Sequence, residues 1–414
     1  MQVYSWFSVE SNLIKVLFVT WDGPQVTYLE SLFLPIFVRL AKEGISFQVL
    51  QFTWGGAERI ALARQACEQA GFGYEAVSIW RRPLAAGAML TALVGSRYVK
   101  KAVQMHHIDV VMARSTLPAL ATMLALRDSQ CRLVFDADGL PLDERVDFAG
   151  HSPSSLSHRL LRDVEAQALR CADVVLTRSA KAIEILQARA GAGTSLDKFH
   201  VVTNGRDAER FKPANAAESE QVRRDLGLGV NTPLLVYAGS MGPQYCMDEM
   251  LRLFALVHDR RPDAHLLVLT GSPEAVQPAL DKNPQLNGCI TTLAVPAHDV
   301  PQYLGCADLG LALRQPSFSM QGVAPIKLGE YLLCGLPVVA TAGIGDTEAI
   351  SAGAGMLLQR MDDTELKAAA NWFVDTVLPA REIYRLRCRE FGLLHYSLDA
   401  SVDSYARALN SLLA

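Results

Sequence analysis

The sequence predicts an α/β protein made of two doubly wound domains that face each other across a cleft. Short runs of Val, Ile and Leu alternate with helical segments, a pattern typical of parallel strands covered by helices on both faces. The alternation breaks over residues 205–232, where polar residues, glycines and prolines accumulate, and then starts again. A length of 414 residues suits two domains, each of about 150–200 residues.

The first half of the chain alternates between predicted strands and predicted helices. Its apolar runs predict strands at 14–21, 47–52, 76–80, 108–113, 131–136, 172–177 and 199–203. Helical segments are predicted between most of them, at 29–42, 57–70 and 84–104 among others. We expect this half, residues 1–207, to form the first domain.

The second half repeats the alternation without repeating the sequence. Strands are predicted at 234–239, 265–270, 290–295, 309–313, 338–341 and 355–358. Helices are predicted at 247–258, 273–282, 298–304, 362–378 and 380–390, with a helical tail at 397–413. The expected boundaries are therefore 208–392 for the second domain and 393–414 for a terminal helical segment.

Composition excludes several classes of protein. A net charge of −4 argues against a general nucleic-acid binder. The eight cysteines include no C-x-x-C pair, which favours buried thiols in a reducing compartment. The N-terminus lacks the pattern of a signal peptide, and no run reaches the roughly 18–20 apolar residues that cross a bilayer. We therefore expect a cytoplasmic protein.

Residues 314–341 hold the densest group of candidate functional residues. A polar loop leads into a short helix that carries Lys327 and Glu330 one turn apart, and Gly335 and Pro337 end that helix. A helix N-terminus after a loop suits a phosphate, and Lys327 can add charge beside phosphate oxygens. The Glu330 carboxylate can accept the two hydroxyls of a ribose. A strand–helix–strand unit with a solvated Lys/Glu pair is the alternative.

This stretch resembles the nucleotide-sugar site of the retaining "glycosyl transferases group 1", which have the two-domain GT-B fold. The family pattern P-x-K-x-x-E-Y-x-x-x-G-x-P-V-V is matched by Pro325, Lys327, Glu330, Tyr331, Gly335, Pro337, Val338 and Val339. The resemblance implies transfer of a sugar from a nucleotide diphosphate-sugar to a glycan or lipid-linked acceptor, in cell-surface polysaccharide or glycolipid synthesis. It also implies retention of configuration, no cofactor, no required metal and a C-terminal helix that packs back on the first domain.

On the donor side, Gly239 and Ser240 end the first strand of the second domain, where backbone N–H groups can hold a phosphate. The family often has a lysine shortly after this position, and this chain has none. Lys327 or Arg206 can supply the missing positive charge, although an arginine such as Arg206 more often lies on the protein surface. We therefore expect Lys327 and Arg206 to be catalytic residues that stabilise the departing diphosphate, although the family usually has an apolar residue at the position of Arg206.

The loop before the helix adds further donor contacts. The family often has an acidic residue eight positions before Glu330, and Gly322 stands there instead. We expect the backbone amides of Gly322 and Val323, with the side chain of Ser319, to contact the sugar or phosphate.

The acceptor is expected at strand-end loops of the first domain, since ligands of open parallel sheets bind at the carboxyl ends of strands. The expected acceptor contacts are Asp22, Gly23, Gln25, Arg114 and Ser115. Asp138 aligns with a family position that faces the donor sugar, and it can hold a hydroxyl, act as a base or stabilise a cationic transition state. A turn aspartate is the alternative for Asp138, and a plain Glu144–Arg145 salt bridge is expected nearby.

An apolar segment between basic clusters, Arg81–Arg82 and Lys100–Lys101, predicts a buried helix with charged ends, and contact with an anionic membrane surface is the competing hypothesis. Three other functions compete with transfer. A nucleotide-sugar epimerase can share the fold, and a non-catalytic protein can keep the donor site. A nicotinamide dehydrogenase is disfavoured because no G-x-G-x-x-G follows the first strand.

Overall fold

The computed structural model describes residues 13–82, 84–351 and 353–412. The predictions made for the N-terminal segment fall mostly on residues 1–12 and lie outside this range, as do Pro83 and the last residue of the predicted tail helix.

The first domain contains a seven-stranded parallel sheet with the order β3-β2-β1-β4-β5-β6-β7. Its strands are β1 Ile14–Asp22, β2 Ile45–Thr53, β3 Gly73–Ser78, β4 Val110–Arg114, β5 Arg132–Asp136, β6 Val174–Thr177 and β7 Phe199–Val201. Its helices are α1 Leu34–Lys42, α2 Ala57–Gln69, α3 Leu84–His106, α4 Thr116–Ala125, α5 Pro141–Ala149, α6 Leu156–Cys171 and α7 Ala180–Ala190. A π-helical turn, Leu29–Phe33, runs directly into α1.

The second domain contains a six-stranded parallel sheet with the order β10-β9-β8-β11-β12-β13. Its strands are β8 Leu234–Ala238, β9 His265–Leu269, β10 Ile290–Leu293, β11 Leu309–Ala312, β12 Val338–Thr341 and β13 Gly355–Leu358. Its helices are α8 Ala216–Asp225, α9 Met247–Arg260, α10 Gln277–Asp281, α11 Val300–Cys306, α12 Ile326–Leu333 and α13 Asp363–Trp372. The predicted class, two Rossmann-like domains, is confirmed.

Strands buried on both faces explain why the sequence predicts the sheets well. Every residue of β4, β6, β8, β9, β11 and β12 is buried. Such strands need apolar side chains on both faces, which produces the continuous Val/Ile/Leu runs.

The chain ends with two helices that belong to different domains. α14, Arg381–Tyr396, lies beside α12 of the second domain, where Gly392 sits against the Leu332–Leu333 backbone. α15, Leu398–Asn410, places Val402, Tyr405 and Leu409 in the core of the first domain. The terminal helix thus packs back on the first domain.

The two domains touch where the β5 loop meets the loop before α12. A Cβ atom at Gly139, which has a φ of +81°, would lie 2.6 Å from the carbonyl oxygen of Gly322. Ser179 Oγ donates a hydrogen bond to the carbonyl of Gln321 over 2.6 Å, and Asn204 Nδ2 donates to that of Ala324 over 3.2 Å. These contacts bring the carboxyl ends of both sheets to one cleft.

Candidate active site

A cavity of about 450 Å³, the cleft cavity, lies between the facing ends of the two sheets. The second domain contributes Gly239, Tyr245, Arg314, Gly322, Val323, Lys327 and Glu330 to its walls. The first domain contributes Tyr28, Arg114, Asp138, Glu144 and Arg178. Most of the strongest sequence candidates therefore meet in one place.

Lys327 lies in a cage of two aromatic rings. Its Nζ donates a hydrogen bond to the hydroxyl of Tyr237 over 3.0 Å and lies 4.2 Å from the ring centroids of both Tyr237 and Tyr245. Burial, helped by the nearby charge of Arg314, lowers the pKa of Lys327 to about 7. The Lys327 side chain therefore titrates near neutral pH.

Gly239 leaves room for this ammonium group. Its φ of +155° lies outside the range that side chains favour, and a Cβ atom there would lie 2.6 Å from Lys327 Nζ. Its own N–H donates to the carbonyl of Leu269, so it continues the sheet. Ser240, which is exposed, accepts a hydrogen bond from the Tyr237 hydroxyl at its carbonyl over 2.6 Å. The glycine therefore serves to accommodate the lysine.

Arg314 is a second cation of this wall, and the sequence predictions missed it. Its guanidinium lies 5.0 Å from the Tyr245 ring centroid and 3.4 Å, through Nη2, from the Tyr245 hydroxyl oxygen. Arg314 lies two residues after the end of the apolar strand β11, and this position was the available signal, since strand ends line the cleft. Lys327 and Arg314 both lie against the Tyr245 ring and together provide positive charge for an anion.

Glu330 forms an ion pair with Arg206 across 2.9 Å. The Arg206 Nη1 also donates to the carbonyl of Ser31 over 2.8 Å, and its side chain is only 18% exposed. The interpretation of Arg206 as a surface residue was therefore wrong. Burial raises the pKa of Glu330, and the Arg206 charge and hydrogen bond oppose that rise.

A side cavity of about 300 Å³ adjoins the cleft cavity. The two cavities share Gly239, Ser240 and Glu330 in their walls. Thr270, Gly271, Val295 and Val300 are among its other lining residues, as is Arg206. Glu330 thus stands at the junction between a charged cavity and a more apolar one.

Asp138 belongs to a network of buried charges in the first domain. One carboxylate oxygen accepts a hydrogen bond from Arg114 Nη2 over 2.5 Å, and the other lies 3.8 Å from Arg178 Nη2. Arg178 is held in turn by Asp136 over 2.8 Å. Burial acts to lower the pKa of Arg114, but the Asp138 and Asp136 charges outweigh it and leave that pKa raised. Asp138 keeps 31% of its side chain exposed toward the cleft.

Several of these cations have hydrogen-bonding capacity left over. Within residues 13–82, 84–351 and 353–412, no partner is found for Nη1 of Arg178 or for Nε of Arg114 and Arg314. Buried donors of charged groups are normally satisfied, so these unpaired donors are unusual and mark a concentration of positive charge beside the cleft cavity.

The predicted acceptor residues differ in how open they are to a ligand. Asp22 is buried and accepts hydrogen bonds from Thr20 over 2.7 Å and Gln51 over 3.0 Å, and it lies 3.9 Å from Arg114. Asp22 therefore positions Arg114. Gly23 lies under the Trp54 ring, since a Cβ atom there would be 2.6 Å from that ring. Gln25 is exposed in the same loop, and Ser115 turns the chain into α4 with a φ of 76°.

The loop before α12 fits the donor prediction only in part. Gly322 and Val323 line the cleft cavity, but the Val323 N–H donates to the carbonyl of Met320 over 3.3 Å. Ser319 is buried against α5, where its N–H donates to Asp147 over 2.9 Å. Glu144 and Arg145 do not act as a pair, because Glu144 lines the cleft cavity and Arg145 a different one. Burial raises the pKa of Glu144, and Arg314 opposes that rise.

Among the residues that the structure describes, no group of three or more His, Cys, Asp and Glu side chains could hold a metal ion. The same part of the chain contains no helix with the length and hydropathy needed to cross a membrane.

Two families match consecutive parts of the chain. "Glycosyltransferase Family 4" matches residues 36–210, and "Glycosyl transferases group 1" matches residues 232–375. An alpha-maltose-1-phosphate synthase of Mycolicibacterium smegmatis is 28% identical over 56% of this chain and 62% of its own. A GDP-mannose-dependent monoacylated alpha-(1-6)-phosphatidylinositol monomannoside mannosyltransferase of Corynebacterium glutamicum is 25% identical over 41% and 45%. The chain thus spans about half the length of the curated relatives it matches.

Solved structures share the whole fold. The crystal structure of Anabaena HepE in complex with UDP and glucose superimposes with a TM-score of 0.69 over 96% of this chain and 100% of that one, at 18% identity. The family resemblance seen in the motif around Glu330 is confirmed: the chain belongs to the group 1 glycosyltransferases and has the GT-B fold.

Proposed function

We propose that this protein transfers a sugar from a nucleotide diphosphate-sugar to a glycan or lipid-linked acceptor, with retention of configuration and without a metal or other cofactor. One observation carries the proposal: Glu330 stands between the side cavity and the cations of the cleft cavity. A nucleoside diphosphate has its base, ribose and diphosphate in that same order.

Each part of the donor meets suitable chemistry along this path. The base enters the side cavity between Thr270 and Val300, and its ribose hydroxyls donate to the Glu330 carboxylate. The diphosphate then lies against Lys327, Arg314 and the N-terminus of α12. Arg206 orients Glu330 through their ion pair and so affects donor binding through that carboxylate.

Transfer breaks the bond between the anomeric carbon and the diphosphate oxygen, while an acceptor hydroxyl oxygen bonds to that carbon and its proton passes to an oxygen of the departed diphosphate. The electron pair leaves with the diphosphate, where Lys327 and Arg314 stabilise the developing negative charge. Asp138 faces the cleft from the opposite domain, so it can bind a hydroxyl or stabilise positive charge on the sugar. Domain closure around residues 205–215 accompanies binding.

Relatives support this proposal. The crystal structure of HepE contains UDP and glucose, and the name of the mycolicibacterial relative says that it makes maltose 1-phosphate. A phosphatidylinositol mannoside is the acceptor named for the corynebacterial relative. These names favour a nucleotide-sugar donor and a phosphorylated or lipid-linked acceptor.

We further propose a cytoplasmic protein that touches the inner face of a membrane through α3. Val99, Ala102 and Val103 of this helix are buried, whereas Leu90 and Leu93 are 45% and 46% exposed beside basic residues of its second half. An apolar surface next to positive charge suits an anionic bilayer. Flotation with phosphatidylglycerol vesicles tests this contact. The wild-type protein should float with the vesicles, and a Leu90→Ser/Leu93→Ser variant should not. Wild-type protein that stays in the vesicle-free fraction would refute the contact.

A nucleotide-sugar screen tests the donor site. UDP-, GDP-, dTDP- and CMP-sugars are compared by thermal shift and by release of free nucleotide, with Glu330→Ala as the site variant. Glu382→Ala, on the exposed side of α14, is the matched control. Stabilisation by one class, lost only in Glu330→Ala, with slow release of nucleoside diphosphate supports a transferase.

Other outcomes identify the competing functions. Conversion of the nucleotide-sugar into an epimer, without release of nucleotide, would identify an epimerase. Binding without any turnover, in the presence of candidate acceptors, would favour a non-catalytic protein. No stabilisation by any of the four classes would refute the donor site.

A further inference from the structure

A cavity of about 580 Å³, the tryptophan cavity, lies at the carboxyl edge of the first sheet. Trp21, Trp54 and Trp80 line it, which are three of the five tryptophans in the chain. Leu117, Leu142 and Leu161 add aliphatic walls. The volume is typical of a site for a small molecule and far exceeds the voids that core packing leaves.

Two of the three tryptophans are held in place by contacts with other parts of the first domain. Trp21 stacks on Phe52 with 5.3 Å between ring centroids. Trp54 packs on the backbone of Gly23 and carries the Arg81 guanidinium 4.9 Å above its ring. A preformed cavity of this kind avoids the entropy cost of ordering side chains on binding.

The tryptophan cavity and the cleft cavity are lined by neighbouring residues of the same helix, α5. Trp21 is followed directly by Asp22, which positions Arg114 in the cleft. Helix α5 separates the two cavities, with Leu142 and Arg145 on one side and Glu144 on the other. A molecule that occupies both cavities has to cross α5, with one end at Asp138 and the other at the tryptophans.

The mouth of the cavity combines apolar and basic groups. Trp80 is 53% exposed and Leu160 50%, and Leu156, one turn earlier on α6, is 78% exposed. Arg81 and Arg145 also line the cavity, as do two histidines. Exposed apolar side chains around an apolar cavity suit a hydrocarbon chain, and the arginines suit a phosphate at the head of that chain.

We propose that the tryptophan cavity binds the hydrocarbon chain of a lipid-linked acceptor, with the acceptor's phosphate near Arg81 and Arg145. This inference rests on the proposed glycosyl transfer and specifies its acceptor as a single-chain lipid phosphate. The chain enters past Trp80 and Leu160, and the sugar or hydroxyl to be modified extends over α5 to Asp138. A purely hydrophilic glycan acceptor would leave the three tryptophans unused.

Binding of alkyl phosphates tests the proposal without any donor. Octyl, decyl and dodecyl phosphate, each below its micelle concentration, are titrated against the full-length protein by calorimetry and tryptophan fluorescence. Each added methylene that is buried should tighten binding about fourfold until the cavity is filled. Inorganic phosphate serves as the head-group control and should bind far more weakly.

Matched variants locate the binding site. Ala88→Phe places a ring inside the cavity and should weaken dodecyl phosphate binding at least about tenfold. Gln104→Phe adds the same ring at an exposed position further along α3 and should change nothing. Trp80→Ala, a half-exposed site, provides a second test if Ala88→Phe does not fold.

The outcomes separate this inference from the proposed function. Dodecyl phosphate binding that is independent of chain length, or equal in Ala88→Phe and Gln104→Phe, overturns the inference. If a nucleotide-sugar binds but no alkyl phosphate does, the inference falls and the proposed donor site stands. If neither ligand binds, both fall.

Discussion

Nucleotide-sugar binding should weaken as the pH rises above 7, because Lys327 loses its proton in the empty site. Burial and the neighbouring charge of Arg314 lower its pKa to about 7. A diphosphate bound beside the ammonium group stabilises the charged form and raises that pKa. Protonated lysine therefore binds the donor, and neutral lysine binds it poorly.

The size of the effect follows from the protonated fraction of the empty site. That fraction is about one half at pH 7, about one tenth at pH 8 and about one hundredth at pH 9. Affinity should be level below pH 6 and then fall about tenfold per pH unit above pH 7, until the pKa of the complex is passed. At pH 8, binding should take up about 0.9 protons, since the lysine is mostly neutral before binding and charged after it.

Calorimetry in buffers with different ionisation enthalpies measures both the affinity and the proton uptake. Lys327→Met should bind the donor more weakly and show no dependence on pH. Arg314→Met should move the fall in affinity to higher pH, because a positive charge next to Lys327 is removed. Lys282→Met, which alters an exposed lysine paired with Asp248, should behave like the wild type. A flat wild-type profile between pH 6 and 9, or a slope that survives in Lys327→Met, would refute the reasoning.

Two further substitutions test neighbouring contacts. Gly239→Ala should lower donor affinity by about 10- to 100-fold, because its Cβ atom would displace the Lys327 ammonium group, whereas Gly229→Ala, which meets a single atom at 3.4 Å, should not. Equal affinities in the two variants, measured by calorimetry, would contradict that role. Arg206→Ala should lower the free energy of unfolding by about 3–5 kcal/mol, because it leaves the Glu330 carboxylate buried without its partner. Arg224→Ala breaks an exposed ion pair with Glu220 and should change the free energy of unfolding by no more than about 0.5 kcal/mol. Both variants are measured by denaturant titration, and an equal loss of stability in the two would contradict the importance of burial for the Arg206–Glu330 pair.

The sequence predicted those features that depend on neighbouring residues. Buried parallel strands leave a continuous apolar signal, so the positions of the strands along the chain were recovered. Lys327 and Glu330 were placed on one helix face by spacing alone. The helix predicted at 273–282 was only partly right, because Pro273 and Pro278 divide it into a 3₁₀ turn and the short α10.

Features that depend on distant segments were not recoverable in this way. Arg206 pairs with Glu330, which is far away in sequence, and nothing near Arg206 indicates that partner. Arg314 carried a weak signal, a charged residue at the end of an apolar strand. The tryptophan cavity combines the end of β1 and the loops after β2 and β3 with residues of four helices, α3 to α6, so only the folded chain brings them together.

The charge of the donor site depends on its ligand, and this dependence bears on catalysis. Lys327 and Arg314 lie on the same tyrosine, and repulsion between them contributes to the low pKa of the lysine. A diphosphate held in a sugar ester carries less negative charge than the diphosphate that leaves when the bond to the sugar breaks. The attraction between the leaving group and both cations therefore grows along the reaction, and so does the preference of Lys327 for its proton. An interaction that strengthens toward the transition state accelerates the reaction, whereas one that is equally strong throughout only tightens substrate binding. Lys327 and Arg314 together provide an interaction of the first kind, because their attraction for the diphosphate grows as the bond to the sugar breaks.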